Sequence, residues 1–170
     1  MDPIDSLHQQ EVCRHVGNWL EKGRQLFAIS TPEPEILFDL KGRTAGQFSI
    51  RKGQPRIRFN PYLFSKYYSE NLSTTVPHEV AHMIVYYRYG RLGIKPHGRE
   101  WRDVMSEFAV DANVTADFDI TGIPVKKVTR HPYICQCRKH WLTSYRHNKI
   151  LANQASYKCR ACNSILRPYQ

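Results

Sequence analysis

Apolar residues along this chain fall into stretches of helical or strand-like period, separated by clusters of turn formers. From residue 4 to about 27, Ile4, Leu7, Val12, Val16, Trp19, Leu20, Leu26 and Phe27 recur near a spacing of 3.6 and predict an amphipathic helix. Ser30-Thr31-Pro32-Glu33-Pro34 ends it, and Glu35 to Leu40 (EILFDL) predicts a short strand. Gln47–Arg51 and Pro55–Asn60 flank Lys52-Gly53-Gln54 as the arms of a hairpin. Asn60-Pro61 then reads as N-cap and first helical residue of a helix through PYLFSKYYSE. Thr75 to Tyr89 (TVPHEVAHMIVYYRY) predicts a second helix, capped by Thr74 or Thr75, with Pro77 in its first turn and Gly90 as the stop. After a turn-rich loop, a further helix starts at His97, with Trp101, Val104, Met105, Phe108 and Ala109 on one face. Val114 to Pro124 carries no assignable pattern.

The Thr75–Tyr89 helix changes the picture, because its centre reads His78-Glu79-Val80-Ala81-His82. Residues four apart share a helix face, so His78 and His82 can offer two imidazoles to one metal ion. Glu79 follows the first ligand and is placed to act as general base on a water at an open coordination position. The competing reading is a helix with two hydrogen-bonded, half-buried histidines and an ordinary Glu.

Length allows one domain of ordinary size and a small appendage. No segment reaches the length of a membrane span, so no membrane partner is expected. The amino terminus lacks a basic stretch followed by an apolar run, which sets a cytoplasmic address as the expectation. Five cysteines in a reducing compartment favour metal ligation over disulfides. The net charge of +10 is uneven: residues 1–120 hold fifteen Lys and Arg against fifteen Asp and Glu. Residues 121–170 hold ten Lys and Arg and no acid, which marks a domain boundary and calls for a polyanionic partner.

A catalytic zinc commonly takes three protein ligands and a water. His97 and Glu100 both stand near the start of the next helix, and periodicity does not choose between them. His97 could also serve only as a cap.

Near the end, Cys135-Gln136-Cys137, His140 and Cys159-Arg160-Ala161-Cys162 form two groups of soft ligands, as a structural zinc in a ribbon of two knuckles requires. Cys159 and Cys162 have the ordinary spacing. Cys135 and Cys137 are tighter, and Cys137-x-x-His140 has the usual bite, so both four Cys and three Cys with one His stay open. Lys126, Lys127, Arg130, Arg138, Lys139, Arg146, Lys149, Lys158, Arg160 and Arg167 surround the cysteines, interleaved with Trp141, Tyr145, Tyr157 and Tyr169. Basic side chains with aromatic platforms suit single-stranded or junction-containing DNA. The same aromatics could instead be the core of a small ribbon.

TVPHEVAHMIVYY, PHGREWRDVM, YICQC and YKCRAC, in that order, resemble the SprT family, as does Asn60-Pro61-Tyr62-Leu63 after the hairpin. The family's zinc metalloprotease-like domain is shared with Spartan-type DNA–protein crosslink proteases. The likeness runs from about Arg14 to Arg167. It implies an α+β, zincin-like domain over residues 1–124, a small antiparallel sheet packed with helices, followed by a basic zinc-ribbon module over 125–170. It makes His78, His82 and His97 the ligands of a catalytic zinc and Glu79 the base. Glu100 becomes a surface or supporting residue, and Trp101 packs behind the site. The implied activity is peptide hydrolysis by a zinc-activated water, with protein substrates on DNA. Tyr86 and Tyr87 are candidate donors to the oxyanion, with no basis for choosing either. The rival expectation is a nucleic-acid-binding or regulatory zinc protein without proteolysis, to which Glu79 would be superfluous.

Overall fold

In the computed structural model, which describes residues 1–90, 92–113, 117–125 and 129–169, the first apolar stripe is narrower than the sequence suggests. Helix α1 spans Ser6–Phe27 and buries Val12, Val16, Leu20 and Gly23, one residue per turn. Leu7 and Leu26 are exposed. Asp5 caps α1 by accepting from the His8 amide at 2.9 Å. Ile4 lies outside the helix and is buried, its amide bonded to the Pro61 carbonyl at 3.1 Å. The chain divides into two compact units, Met1–Val125 and Lys126–Gln170. No helix among the described residues is long and apolar enough to cross a membrane.

In the first unit, strands β1 (Glu35–Leu37), β2 (Gly46–Arg51) and β3 (Gln54–Phe59) form a sheet in the order β1-β3-β2. The expected antiparallel sheet is therefore a mixed one. β2 and β3 are an antiparallel hairpin, but β1 pairs in parallel with β3, Glu35 opposite Arg56. The hairpin reverses direction at Lys52 (φ 50°) and Gly53 (φ 82°), two positive-φ residues that make the tight turn matching strand twist. β1 takes the free side of the central β3, and the Arg56–Glu35 ion pair ties the two together. β1 is shorter than EILFDL because Asp39 turns away to take a bidentate bond from Arg58 at 2.8 and 2.9 Å.

Asn60 caps helix α2 (Pro61–Lys66) as its sequence predicts, accepting from the Tyr62 and Leu63 amides at 3.1 and 3.3 Å. The expected helix to residue 70 is broken instead at Tyr67 (φ −134°). A short α3 (Tyr68–Glu70) runs into one π-helical turn, Asn71–Thr75, and then directly into α4 (Val76–Tyr89). Neither Thr74 nor Thr75 caps α4. Their hydroxyls turn back, Thr74 to the Glu70 carbonyl and Thr75 to Asn71 Oδ1, both at 2.7 Å. The π turn keeps the helical hydrogen bonding continuous and leaves no free amides to cap. Gly90 ends α4 at φ 79°, as expected.

Helix α4 is buried nearly all round, through Val76, Pro77, Glu79, Val80, Ala81, Met83, Ile84 and Val85. α1 and α5 (Arg99–Phe108) pack on it, and β2 and β3 cover another side. Helix α5 begins two residues later than expected, and Trp101, Val104, Met105 and Phe108 form its buried face. Ala109 is an exposed left-handed cap (φ 57°), not a member of that face. In the patternless stretch, Phe118 and Ile123 are buried against Leu63.

The second unit is a three-stranded antiparallel sheet in the order β5-β4-β6, from β4 (Arg130–Ile134), β5 (Lys139–Thr143) and β6 (Arg167–Pro168). A helix absent from the sequence reading, α6 (Ser144–Leu151), follows β5. Its His147 stacks on His131 at 3.8 Å and bonds the buried Tyr133 hydroxyl at 3.0 Å.

Asn71 is fully buried and completes the backbone where the helix changes pitch. Its Nδ2 donates to the Leu63 and Tyr67 carbonyls at 3.2 and 2.8 Å, while Oδ1 accepts from Thr75. Asn71→Ala takes the Thr75 hydroxyl's partner and one of two bonds from each of the Leu63 and Tyr67 carbonyls, and is expected to cost about 1–3 kcal/mol in denaturant unfolding. A loss below about 0.5 kcal/mol would contradict this role.

Candidate metal centre

His78 and His82 project from one face of α4 as the four-residue spacing requires. His97 reaches them from the loop before α5. Lys95-Pro96-His97-Gly98 closes as a turn, the Gly98 amide bonding the Lys95 carbonyl at 2.9 Å, with Pro96 at its second position and His97 at φ 57°. That is the type II pattern, whose third position favours glycine. Holding histidine there costs roughly 1 kcal/mol, a strain that functional sites often retain. Gly98, not His97, is the N-cap of α5.

The three Nε2 atoms converge, at 3.2 Å for His78–His82, 3.0 Å for His82–His97 and 2.9 Å for His97–His78. Nitrogens bound tetrahedrally at zinc lie about 3.3 Å apart, so the triangle is of the right size. In the tautomer with the ring protons on Nδ1, the three Nε2 lone pairs face one another and repel unless a cation sits among them. Protons are disfavoured in that role. Burial, then the charge of His97, pulls His78 from 6.5 down to about 4, and burial with the other two rings pulls His82 to about 3. Burial also lowers His97. Neutral imidazoles with converging nitrogens fit a metal ion. The His78 ring is further oriented by a bond to the Asn113 backbone. Trp101 lies behind all three rings, its centroid 4.7 Å from His78 and His97 and 5.7 Å from His82. Glu100 takes no part in the cluster.

The imidazoles line a cavity of about 930 Å³ together with Glu79. Glu79 is buried, and its Oε2 accepts from the Phe48 amide on β2 at 2.7 Å. Without a metal, burial raises its carboxyl from 4.5 to about 8, against the lowering effect of that amide. Gly46, two residues earlier on β2, is what admits the side chain. A Cβ there would meet Glu79 Cγ at 2.6 Å, Oε1 at 2.7 Å and Thr75 Cγ2 at 2.8 Å. The sequence reading found neither Gly46 nor Phe48, because β2 and α4 meet only in the fold. Tyr86 and Tyr87 do not line this cavity. Tyr86 faces Phe48, with ring centroids 5.9 Å apart, and Tyr87 packs on the core.

In the second unit the Sγ atoms of Cys135, Cys137, Cys159 and Cys162 lie within 4.8 Å of one another, a group that can hold a metal ion. Cys135–Cys137 and Cys137–Cys159 are 3.4 and 3.7 Å apart, near the separation of sulfurs on a tetrahedral zinc. Amides of Cys162 and Ala161 pull Cys159 down to about 5, and Ser164 lowers Cys162. Its sulfur neighbours, Cys135 first, push Cys137 up to about 12. Four thiolates cannot ionise together here without a cation, which is the charge a structural zinc supplies. His140 is outside the four-sulfur group, its Nε2 3.2 Å from Cys135 Sγ as a hydrogen-bonding neighbour. Arg138 reaches Cys159 at 4.0 Å.

Arg130, Arg138, Lys139, Arg146, Lys158, Arg160 and Arg167 are exposed, and Lys149 is half-buried over the Tyr145 ring. Lys126 and Lys127 lie outside the described residues. The aromatics divide. Tyr157 packs on the core of the unit, whereas Trp141, Tyr145 and Tyr169 are exposed at 59%, 68% and 38%.

A mixed α+β unit with a three-histidine cluster beside a buried glutamate, joined in sequence to a four-cysteine unit, is the class of protein that these features define. The SprT-like family profile matches residues 11–126. Protein SprT of Serratia proteamaculans is 37% identical over 94% of this chain and 90% of its own length. Protein SprT of Vibrio parahaemolyticus is 41% identical over 84% of this chain and 83% of its own. Protein SprT of Glaesserella parasuis is 34% identical over 92% and 96%. This chain belongs to the SprT family. No solved structure matches it.

The metal-free protein should carry two opposed pH dependences. The imidazoles have lowered folded pKa values, so their contribution is present above about pH 6.5 and lost as pH falls towards 4 and below. Glu79 has a raised one, so its contribution is present below pH 4.5 and lost as pH rises through about 8. Glu79→Gln keeps an acceptor for Phe48 and is expected to raise the metal-free Tm at pH 8 by about 4 °C or more. That gain should vanish near pH 4.5. The same Tm difference at both pH values would contradict a buried, protonated carboxyl.

Proposed function

We propose that this protein is a zinc metallopeptidase with a zincin-like first unit, brought by its basic second unit to DNA, where it acts on DNA-bound proteins. One observation carries the peptidase reading: three neutral imidazoles converge in the same cavity as a buried, amide-anchored glutamate. A purely structural metal site has no use for that glutamate.

His78, His82 and His97 would hold the zinc, which supplies a polarised water and a Lewis acid for the scissile carbonyl. The remaining chemistry belongs to the chain. With Oε2 of Glu79 held by the Phe48 amide, Oε1 is the free basic atom, and Gly46 leaves it room. Next to a divalent cation the carboxyl ionises more readily than it does alone. Oε1 takes the proton of the attacking water as its oxygen adds to the carbonyl carbon. Glu79 then returns that proton to the amide nitrogen as the C–N bond breaks, leaving a carboxylic acid whose proton passes to the freed amine. Burial keeps bulk water from competing for the carboxylate. The test is proteolysis of a DNA-binding protein by the zinc-loaded chain in the presence of single-stranded DNA. Glu79→Gln is expected to lower the rate at least about a hundredfold while retaining zinc. Equal rates in parent and variant would overturn the peptidase reading and leave the nucleic-acid-binding alternative standing.

The DNA reading is supported by charge without counter-charge and by the outward aromatics. Trp141 pairs with Pro132 across β4–β5, and Lys139 Nζ lies 4.3 Å from the Tyr169 ring centroid. Together they offer a stacking surface bordered by cations. Trp141→Ala should weaken binding of single-stranded DNA about tenfold without changing its salt dependence. Lys139→Ala should lessen that dependence. Salt-independent binding, or none to single strands, would contradict the second unit's role.

A further inference from the structure

The four sulfurs of the second unit differ in what their surroundings offer them. Cys135 and Cys159 are buried, Cys162 is half-buried, and Cys137 is exposed. Cys135 Sγ accepts from the Cys137 amide at 3.4 Å and from His140 Nε2 at 3.2 Å. A metal-bound thiolate can only accept, so Nε2 carries the proton there. Cys159 Sγ accepts from the Ala161 amide at 3.4 Å and from the Cys162 amide, with the Arg138 guanidinium 4.0 Å away. Cys162 Sγ accepts from the Ser164 hydroxyl at 2.8 Å and from the Ser164 amide. Among the described residues no N–H or O–H donor reaches Cys137 Sγ, whose neighbours are the other three sulfurs.

We propose that Cys137 is an oxidation site: hydrogen peroxide attacks its metal-bound thiolate first, and the disulfide that follows expels the structural zinc and opens the second unit. The inference rests on the four-sulfur site holding zinc and is independent of whether the histidine centre cuts peptides. A hydrogen bond to a thiolate draws charge from the sulfur, so the donor-free sulfur keeps the greatest electron density. Exposure lets an oxidant reach it. Both conditions meet at Cys137. Its Sγ attacks one peroxide oxygen, the O–O bond breaks, and a sulfenic acid forms as hydroxide leaves. The neighbouring thiolate of Cys135 or Cys159, 3.4 or 3.7 Å away, then attacks that sulfur and displaces a second hydroxide. The two sulfurs lose two electrons to the peroxide, and two protons from solvent turn the hydroxides into water. Two thiolates remain, too few to keep the metal. Cys135 and Cys159 share a small core with Tyr133, Leu142 and Leu166, which the metal holds closed. The imidazoles present peroxide with no thiolate, so the first unit keeps its zinc. Oxidation thus removes the surface that carries Trp141 and Lys139 and spares the histidine centre.

The test uses the zinc-loaded full chain and needs no turnover. Sub-stoichiometric N-ethylmaleimide is added, and the labelled cysteines are mapped by mass spectrometry. Cys137 is expected to react at least about tenfold faster than Cys135, Cys159 or Cys162. Ser164→Ala takes a donor from Cys162 and should speed labelling there at least about threefold, with the rate at Cys137 unchanged. In a second arm the parent is treated with hydrogen peroxide and desalted. Metal counting should then find about one zinc fewer per chain, and peptide mapping a disulfide that joins Cys137 to Cys135 or Cys159. Equal labelling of the four sulfurs, or first labelling at Cys159 or Cys162, would overturn the assignment. So would a zinc count that peroxide leaves unchanged, or a disulfide that omits Cys137. An untreated chain whose zinc count does not fall in Cys162→Ser would overturn the structural-zinc reading, and this inference with it.

Discussion

Holding three uncharged imidazoles nitrogen to nitrogen is the constraint around which the first unit is arranged. Left to itself the arrangement is unfavourable, because burial denies the rings a second proton, and with the remaining protons on Nδ1 the lone pairs at 2.9–3.2 Å repel. Something must impose it. Two of the rings are fixed by helical spacing on α4, which α1, α5 and the sheet clamp on its other sides. The third is fixed by a turn that keeps a histidine in a left-handed conformation. Trp101 fills the space behind, so the rings cannot relax backwards.

The carboxylate of Glu79 obeys a second constraint from the same helix. One residue after His78, its side chain points into the sheet side of α4, where only an unoccupied Cβ position at Gly46 lets it pass. The Phe48 amide then gives it a partner. Thus the strand beside α4 is shaped for a single side chain. The π turn at Asn71–Thr75 belongs to the same construction, because it carries the helix into α4 without a capped break. Thr75, at its end, is one of the atoms packed against that Gly46 gap.

The sequence disclosed these features unevenly, and the reason is their range. Local signals succeeded: the hairpin turn at Lys52-Gly53, the Asn60 cap, Gly90 as the end of α4, and the buried face of α5. The same kind of signal misled at Thr74 and Thr75, where the hydroxyls bond back into a continuous helix. The mixed character of the sheet, which the family resemblance implied to be antiparallel, has no local mark, because it depends on Glu35 pairing with the distant Arg56. His97 and Glu100 were inseparable by period, since the choice is made by a turn whose Pro96 signal is local but whose aim is not. The parts played by Gly46 and Phe48 are products of tertiary contact alone. The basic, acid-free carboxy-terminal fifty residues were legible from composition, but the split of aromatics between core Tyr157 and exposed Trp141 needed the fold.

Two metal-fitting clusters of different chemistry, one of nitrogen ligands and one of sulfur, are the central claim, and they lie in separate units. Counting zinc on purified protein and two variants tests it most directly. The account predicts about two zinc per chain in the parent, about one in His78→Ala, and about one in Cys162→Ser. A parent with about one zinc, unchanged by His78→Ala, would contradict the histidine centre and the chemistry built on it.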